Sequence, residues 1–257
     1  MGKLFDTHAH YTDERLRGNA DLLDSLFATD ISHILTVATD LTDTDACIAL
    51  AGEYENIYAS AGIHPHESGE AGDVDAAMAS LSEKLNMPKV VALGEIGLDY
   101  HYDFSDRETQ MRFFRAQMEL AAEKNIPVII HDREAHGDIM SVVQEYKNKV
   151  IGIIHCCSAS AEQVKEYVKM GWYISFAGVI TYKNASKTLD SVLATPKDRI
   201  LVETDCPYLA PVPKRGKTNH SGYMHYTAEK AASLLQMDYD EFCDQEVKNA
   251  KTLLGIR

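Results

Sequence analysis

The chain has 257 residues, 45% hydrophobic and 25% charged, a globular balance that excludes collagen-like, disordered and coiled-coil classes. No run approaches the roughly 18–20 apolar residues of a membrane-spanning helix. The net charge of −14 excludes broad coating of DNA or RNA, which needs a basic face.

In chain order, apolar β-rich runs fall at Leu4–His8, Ile31–Ala38, Ile57–Ile63, Val90–Gly94, Pro127–His131, Ile151–His155, Trp172–Phe176 and Ile200–Glu203. Most are continuously apolar, as in a parallel sheet covered on both faces. Helical stretches separate them. Ser105 with Glu108 has the form of a capping box and opens a predicted helix to Lys124, with Met111, Phe114, Met118 and Ala121 at helical spacing. Asp238 and Glu241 repeat the pattern for a last helix, and Gly255 suits its end. Eight strand–helix units in this length predict one (β/α)8 TIM barrel over residues 1–257. An open doubly wound sheet is disfavoured, because the first turn reads Asp6-Thr7-His8-Ala9-His10 and carries no glycine-rich loop. Trp172 is assigned to the core. Five cysteines, an odd number, argue against a disulfide framework. The N-terminus meets charge at Lys3 and Asp6 and has no apolar signal region, which places the protein in the cytoplasm as an expectation.

The histidines carry most of the information. His8 and His10 close the first run, His64 and His66 follow the third, and Glu95 follows the fourth. His131 and His155 end the fifth and sixth, and Asp205 follows the eighth. These are the positions where a barrel gathers its active-site groups. The other five histidines (His33, His101, His136, His220, His225) fall away from those ends. In an extended segment His8 and His10 point to one side and can share an ion. Nitrogen and carboxylate ligands without thiolate suit Mg²⁺, Mn²⁺ or Zn²⁺ in an open catalytic site. His8, His10, Glu95, His131, His155 and Asp205 exceed what one tetrahedral ion uses. Two divalent ions bridged by Glu95 are therefore expected, a pair that activates a water and stabilises both oxygens of a displacement. The ions also make the pocket locally positive within an acidic protein, so a phosphate can be drawn there. Arg133 and the run Lys214-Arg215-Gly216-Lys217 are candidate phosphate contacts.

The sequence resembles the TatD family of metal-dependent deoxyribonucleases, within the amidohydrolase-like barrels. The likeness rests on Phe5-Asp6-Thr7-His8-Ala9-His10, Gly62-Ile63-His64-Pro65-His66, Gly94-Glu95-Ile96-Gly97-Leu98-Asp99-Tyr100, Val128-Ile129-Ile130-His131-Asp132-Arg133, Ile154-His155-Cys156, the segment Glu203 to Pro211, and Arg215-Gly216-Lys217-Thr218-Asn219. It implies one metal on His8, His10, Glu95 and Asp205 and a second on Glu95, His131 and His155. It implies hydrolysis of DNA phosphodiesters, as an exonuclease, with Asp205 orienting or deprotonating the attacking water. Glu95 and Asp205 are thus the expected catalytic pair, and His64, Arg133 and Arg215 the expected substrate contacts. The protein is expected to act as a monomer.

Several positions depart from the family pattern. Asn219-His220-Ser221 stands where Asn-Glu-Pro is usual, Cys157 and Ala159 where Phe and Gly are common, and Asp132 where Ser is common. All are expected to flank the pocket without supplying metal ligands. His66 is read as a loop histidine capping backbone, Asp99 and Tyr100 as supports, and Tyr208 as shaping the mouth. Hydrolysis of a small-molecule amide, lactone or ester stays open as the alternative. Many dinuclear barrels of that kind use a carbamylated lysine where this chain has Glu95.

Overall fold

The computed structural model of the protein describes residues 2–102 and 104–256. Eight strands, β1 (Leu4–Ala9), β2 (Ile31–Thr36), β3 (Ile57–Ala61), β4 (Val90–Asp99), β5 (Val128–Arg133), β6 (Gly152–Ile154), β7 (Tyr173–Phe176) and β8 (Ile200–Val202), form one parallel sheet in sequence order. Helices alternate with them: α1 (Ala20–Ala28), α2 (Leu41–Glu53), α3 (Val74–Lys84), α4 (Arg107–Lys124), α5 (His136–Glu145), α6 (Ala161–Lys169), α7 (Ser186–Ala194), α8 (Met224–Leu234) and α9 (Tyr239–Leu254). The architecture is the expected (β/α)8 barrel. No helix among the described residues is long and apolar enough to cross a membrane.

Continuous apolar strands bury both faces, and two cores result. The larger joins the strands to the helices and takes in Trp172, fully buried. The smaller takes a buried or half-buried residue from each of the eight strands: Phe5, Leu35, Tyr58, Ala92, Ile129, Ile153, Tyr173 and Leu201. Residues from all eight strands can meet only in the lumen, so this is a packed interior layer. Ala250, Leu253 and Leu254 of α9 join it.

The closing seam is built differently. Between β8 and β1 the backbone makes a single bridge, Ala9 with Cys206, with Asp205 N donating to His8 O at 2.9 Å and His10 N to Cys206 O at 2.8 Å. Side chains satisfy groups that a ladder would otherwise pair. Glu246 of α9 accepts from Phe5 N at 3.0 Å, Thr7 Oγ1 donates to Val202 O at 3.2 Å, and Asn249 Nδ2 donates to Ile200 O at 2.8 Å.

Two local expectations shift. The cap of α4 is Asp106, whose carboxylate accepts from Thr109 N at 2.9 Å. Ser105 is unavailable because its hydroxyl donates to His66 O and accepts from Gly69 N, both at 2.8 Å. Strand β4 also runs five residues past Gly94, to Asp99. That extension needs glycine at Gly97, where φ is +139° and an added Cβ would lie 2.0 Å from His131 O. At the other end of the chain, α9 starts on Asp238 and stops on Gly255 in the left-handed region, as expected.

Candidate metal centre

Strands β1, β4 and β5, with the residues directly after β1, β3, β6 and β8, bring His8, His10, His64, Glu95, His131, His155 and Asp205 to one end of the barrel. They share a cavity of about 820 Å³ with the rim residues, His8 excepted, which lies fully buried beneath it. Glu95 is at the centre. Its Oε1 lies 2.8 Å from His131 Nδ1, 3.1 Å from His155 Nε2 and 3.6 Å from His64 Nε2. Its Oε2 lies 3.3 Å from His8 Nε2 and 3.8 Å from His10 Nε2. Asp205 Oδ1 lies 3.4 Å from His10 Nε2 and 3.8 Å from His8 Nε2.

Burial alone would push the Glu95 carboxyl up, but the imidazoles of His155, His8 and His64 outweigh it and hold the group well below the usual carboxylate range. Asp205 behaves likewise, its burial being outweighed by the hydrogen bond from His10 and the charges of His155 and His8. Burial opposes the His10 charge too, yet Asp205 raises that imidazole to about 9. For His64 burial wins and the imidazole is pushed well below its ordinary value.

The donor set fits a divalent cation. His10 Nδ1 faces Val37 O at 2.9 Å and His155 Nδ1 faces Glu203 Oε1 at 2.9 Å. With those protons donated outward, each Nε2 faces a carboxylate oxygen, donating to it when protonated and offering a lone pair to a cation once that proton is lost. Such a contact, 3.1 Å for His155 and 3.4 Å for His10, requires a proton or a cation between the partners. Three sets of three ligand atoms converge within 4.8 Å: His8, His10 and Glu95; His64, Glu95 and His131; and His8, His155 and Asp205. Nitrogen and oxygen donors of this kind suit zinc, manganese or magnesium.

A supporting layer holds these candidate ligands. Glu203, fully buried after β8, accepts from His155 Nδ1 and, at 2.7 Å, from Cys156 N. Asp99, reached only because β4 is long, pairs through Oδ2 with His131 Nε2 at 3.0 Å and His66 Nε2 at 2.9 Å. Its Oδ1 accepts from His101 N and Tyr102 N. Asp6 accepts from Thr204 N and from the hydroxyls of Thr204 and Ser221. Asp99 matches its reading as a support. Glu203 and Asp6 escaped functional assignment in the sequence, though an acid inside an otherwise apolar strand-end motif was a usable signal. His66 is no backbone cap: its ring pairs with Asp99 and lines the cavity.

Of the expected substrate contacts, His64 and Arg133 line the cavity and Arg215 is not among its lining residues. The Arg215 guanidinium sits 4.0 Å over the Tyr182 ring, and Lys214 lies over Tyr223 and Tyr226. Among the departures from the family pattern only Asp132 reaches the cavity; Cys157 and Ala159 are buried, and the segment Asn219-His220-Ser221 lies outside the lining. Asp132 there pairs with His136 Nδ1 at 2.8 Å.

The model of the family described as TatD related DNase matches residues 5–255. The chain belongs to the TatD family. It is a metal-dependent hydrolase of that family: it is 40% identical over 255 residues, covering 98% of this chain and 99% of the other, to a Bacillus subtilis protein named uncharacterized metal-dependent hydrolase YabD. It is 31% identical over 260 residues, with coverage of 98% and 99%, to the Escherichia fergusonii protein named 3'-5' ssDNA/RNA exonuclease TatD. The crystal structure of the TatD homologue YjjV from Escherichia coli K12 superposes with a TM-score of 0.92 at 29% identity, covering 99% of this chain and 98% of that one.

Proposed function

We propose that this protein is a divalent-metal-dependent phosphodiesterase that degrades single-stranded DNA from an end, as a monomer with two ions in its cavity. The observation that carries the reading is the ring of five imidazoles and Asp205 around Glu95. His8, His10, Glu95 and Asp205 would hold one ion, and Glu95, His131 and His155 the other, with His64 close enough to Glu95 to join either the metal or the phosphate. When bound, the cations supply positive charge for a phosphate and a water acidified to near neutrality.

The chain's own residues supply the rest. Asp205 is ionised and its side chain is more open than that of Glu95, 16% against 4% exposed. It is therefore the carboxylate able to take the proton of an attacking water. It is held in place by a backbone in the left-handed region, φ +54°. Glu203 and Val37 O keep the His155 and His10 rings oriented, and Arg133 offers a cation at the rim. The name of the Escherichia fergusonii relative supports single-stranded nucleic acid as the substrate class.

The test is cleavage of an end-labelled single-stranded DNA by metal-stripped protein with Mg²⁺, Mn²⁺ or Zn²⁺ restored, beside Glu95→Ala and Asp205→Asn. Stepwise shortening that requires metal is expected, absent in Glu95→Ala and lowered roughly 10²–10⁴-fold in a folded Asp205→Asn. Full activity in Asp205→Asn removes it as the base. Two bound ions with no cleavage of DNA or RNA overturns the nuclease reading in favour of a small-molecule ester or amide.

A further inference from the structure

The cations would draw the scissile phosphate, but Asp13, Asp43, Glu67 and Asp132 share the cavity wall with the metal-ligand candidates and repel the rest of a polyanionic strand. Part of the affinity for a nucleic acid strand must then come from contacts that carry no charge. Seven large hydrophobic side chains are exposed among the described residues, and three of them, Tyr102, Phe104 and Tyr208, line this one cavity.

Tyr102 and Phe104 follow β4. Their rings are stacked, with centroids 5.5 Å apart and planes within 6°. The Arg133 guanidinium lies 4.6 Å from the centre of the Tyr102 ring. Phe104 is 71% exposed, so folding gains little from its ring. Yet the ring is held in place: it meets His66 edge-on at 4.9 Å, and His66 is tied through Asp99 to His131. A bare aromatic face is thus fixed relative to Glu95, with a cation beside it. Across the cavity Tyr208 repeats the pairing, with Arg15 over its ring at 4.4 Å and its edge towards His10.

We propose that the Tyr102–Phe104 stack is a platform for an unpaired nucleobase of the substrate next to the scissile phosphodiester, and that Arg133 contacts the phosphate of that nucleotide. The proposal rests on the nuclease reading above and deepens it. Stacking of bases on aromatic side chains beside arginine is sequence-tolerant, because every base has a π-face. A base in a duplex is held by its pairing partner and by its stacked neighbours and must be released before it can occupy the platform, so the arrangement favours single strands. Phe104 here is a binding residue; it has no part in the proton transfers.

The test compares kcat/KM of the metal-loaded enzyme on a single-stranded DNA with that on the same strand carrying abasic sites at its ends, for the wild type, Phe104→Ala and Phe104→Tyr. Quenching of a terminal 2-aminopurine in the first milliseconds reports stacking directly. The wild type should prefer the intact strand by about 5- to 100-fold, the usual worth of one base–aromatic stack. Phe104→Ala should lose the preference and the quenching while cleaving the abasic strand at the wild-type rate, and Phe104→Tyr should restore both. A wild type indifferent to abasic ends, or a Phe104→Ala enzyme that keeps the preference, overturns the platform and leaves the nuclease reading standing. A wild type that neither quenches nor cleaves either strand overturns both.

Discussion

Replacing Glu203 by glutamine isolates the electrostatic support behind one candidate ligand, His155. The carboxylate is fully buried and accepts two hydrogen bonds through Oε1, from His155 Nδ1 at 2.9 Å and from Cys156 N at 2.7 Å; Oε2 has no hydrogen-bond partner. Glutamine keeps the shape and one carbonyl acceptor and removes the charge. A hydrogen bond to a charged group contributes about 1.5–3 kcal/mol against 0.5–1.5 for a neutral one. The hold on His155 should therefore weaken by about 1–2 kcal/mol, which is roughly a 5- to 30-fold loss of metal affinity. That overlaps the 10- to 100-fold cost typical of outer-layer carboxylates behind a ligating histidine. Glu203→Ala is a different experiment. It leaves two buried donors unpaired at about 1–3 kcal/mol each, so its thermal unfolding should fall along with metal binding. Competition for Zn²⁺ and Mn²⁺ against a chromophoric chelator measures the affinity, and unfolding of the metal-free proteins measures the fold. A Glu203→Gln protein that binds metal as tightly as the wild type, with an unchanged fold, refutes the electrostatic role and leaves Glu203 as packing.

Two further outcomes are expected. Burial pushes the Glu246 carboxyl well above its ordinary value, against the opposing hydrogen bond from Phe5 N; Asp6, also desolvated, is raised to about 6. An acid whose folded pKa is raised holds its proton longer in the native state. Stability from this pair is thus complete below about pH 4 and declines as pH rises through the folded values, by up to about 1.4 kcal/mol per pH unit for each group. Urea unfolding at about pH 5 and about pH 8 should show Glu246→Gln gaining on the wild type at the higher pH, and a pH-independent difference refutes the assignment. Gly97→Ala places a Cβ 2.0 Å from His131 O at φ +139° and should cost about 2–6 kcal/mol through overpacking and backbone strain. Gly52→Ala, in α2 with nothing within 4 Å of the added Cβ, should stabilise by roughly 0.5–1 kcal/mol. Equal melting shifts for the two alanine variants contradict the close-approach account.

The barrel was legible because a strand buried on both faces needs continuous apolar residues, and eight such runs are spaced for helices between them. The ligand candidates were legible because they interrupt apolar runs at their C-terminal ends. What escaped reading depends on contacts between distant segments. Nothing in Val90–Gly94 announces that β4 continues to Asp99, since the continuation requires a glycine to pass against the backbone of β5 at His131. Ser105 satisfies every local rule for a cap, and loses the role because the loop at His66 and Gly69 claims its hydroxyl. The same extension of β4 carries Tyr102 and Phe104 to the cavity rim, a placement that no local pattern in the sequence announces.

The seam between β8 and β1 joins the fold to the chemistry. His8 and His10 sit on one side of it and Asp205 on the other, where only a bridge and two backbone hydrogen bonds connect the strands. Register there is set by side chains. Asp6 takes the Thr204 N–H and hydroxyl, Ser221 Oγ donates to Asp6 Oδ2 at 2.6 Å, and the Tyr11 hydroxyl, 2.7 Å away, donates to Ser221 Oγ. Asn219 Nδ2 donates to Thr204 O and Tyr208 O, bracketing Asp205. The segment Asn219-His220-Ser221 therefore departs from the family pattern at the clamp that fixes Asp205 against His10, and a proline at 221 could not supply the hydroxyl that Asp6 accepts. In this chain the spacing of the candidate metal ligands across the seam is held by the same hydrogen bonds that close the barrel.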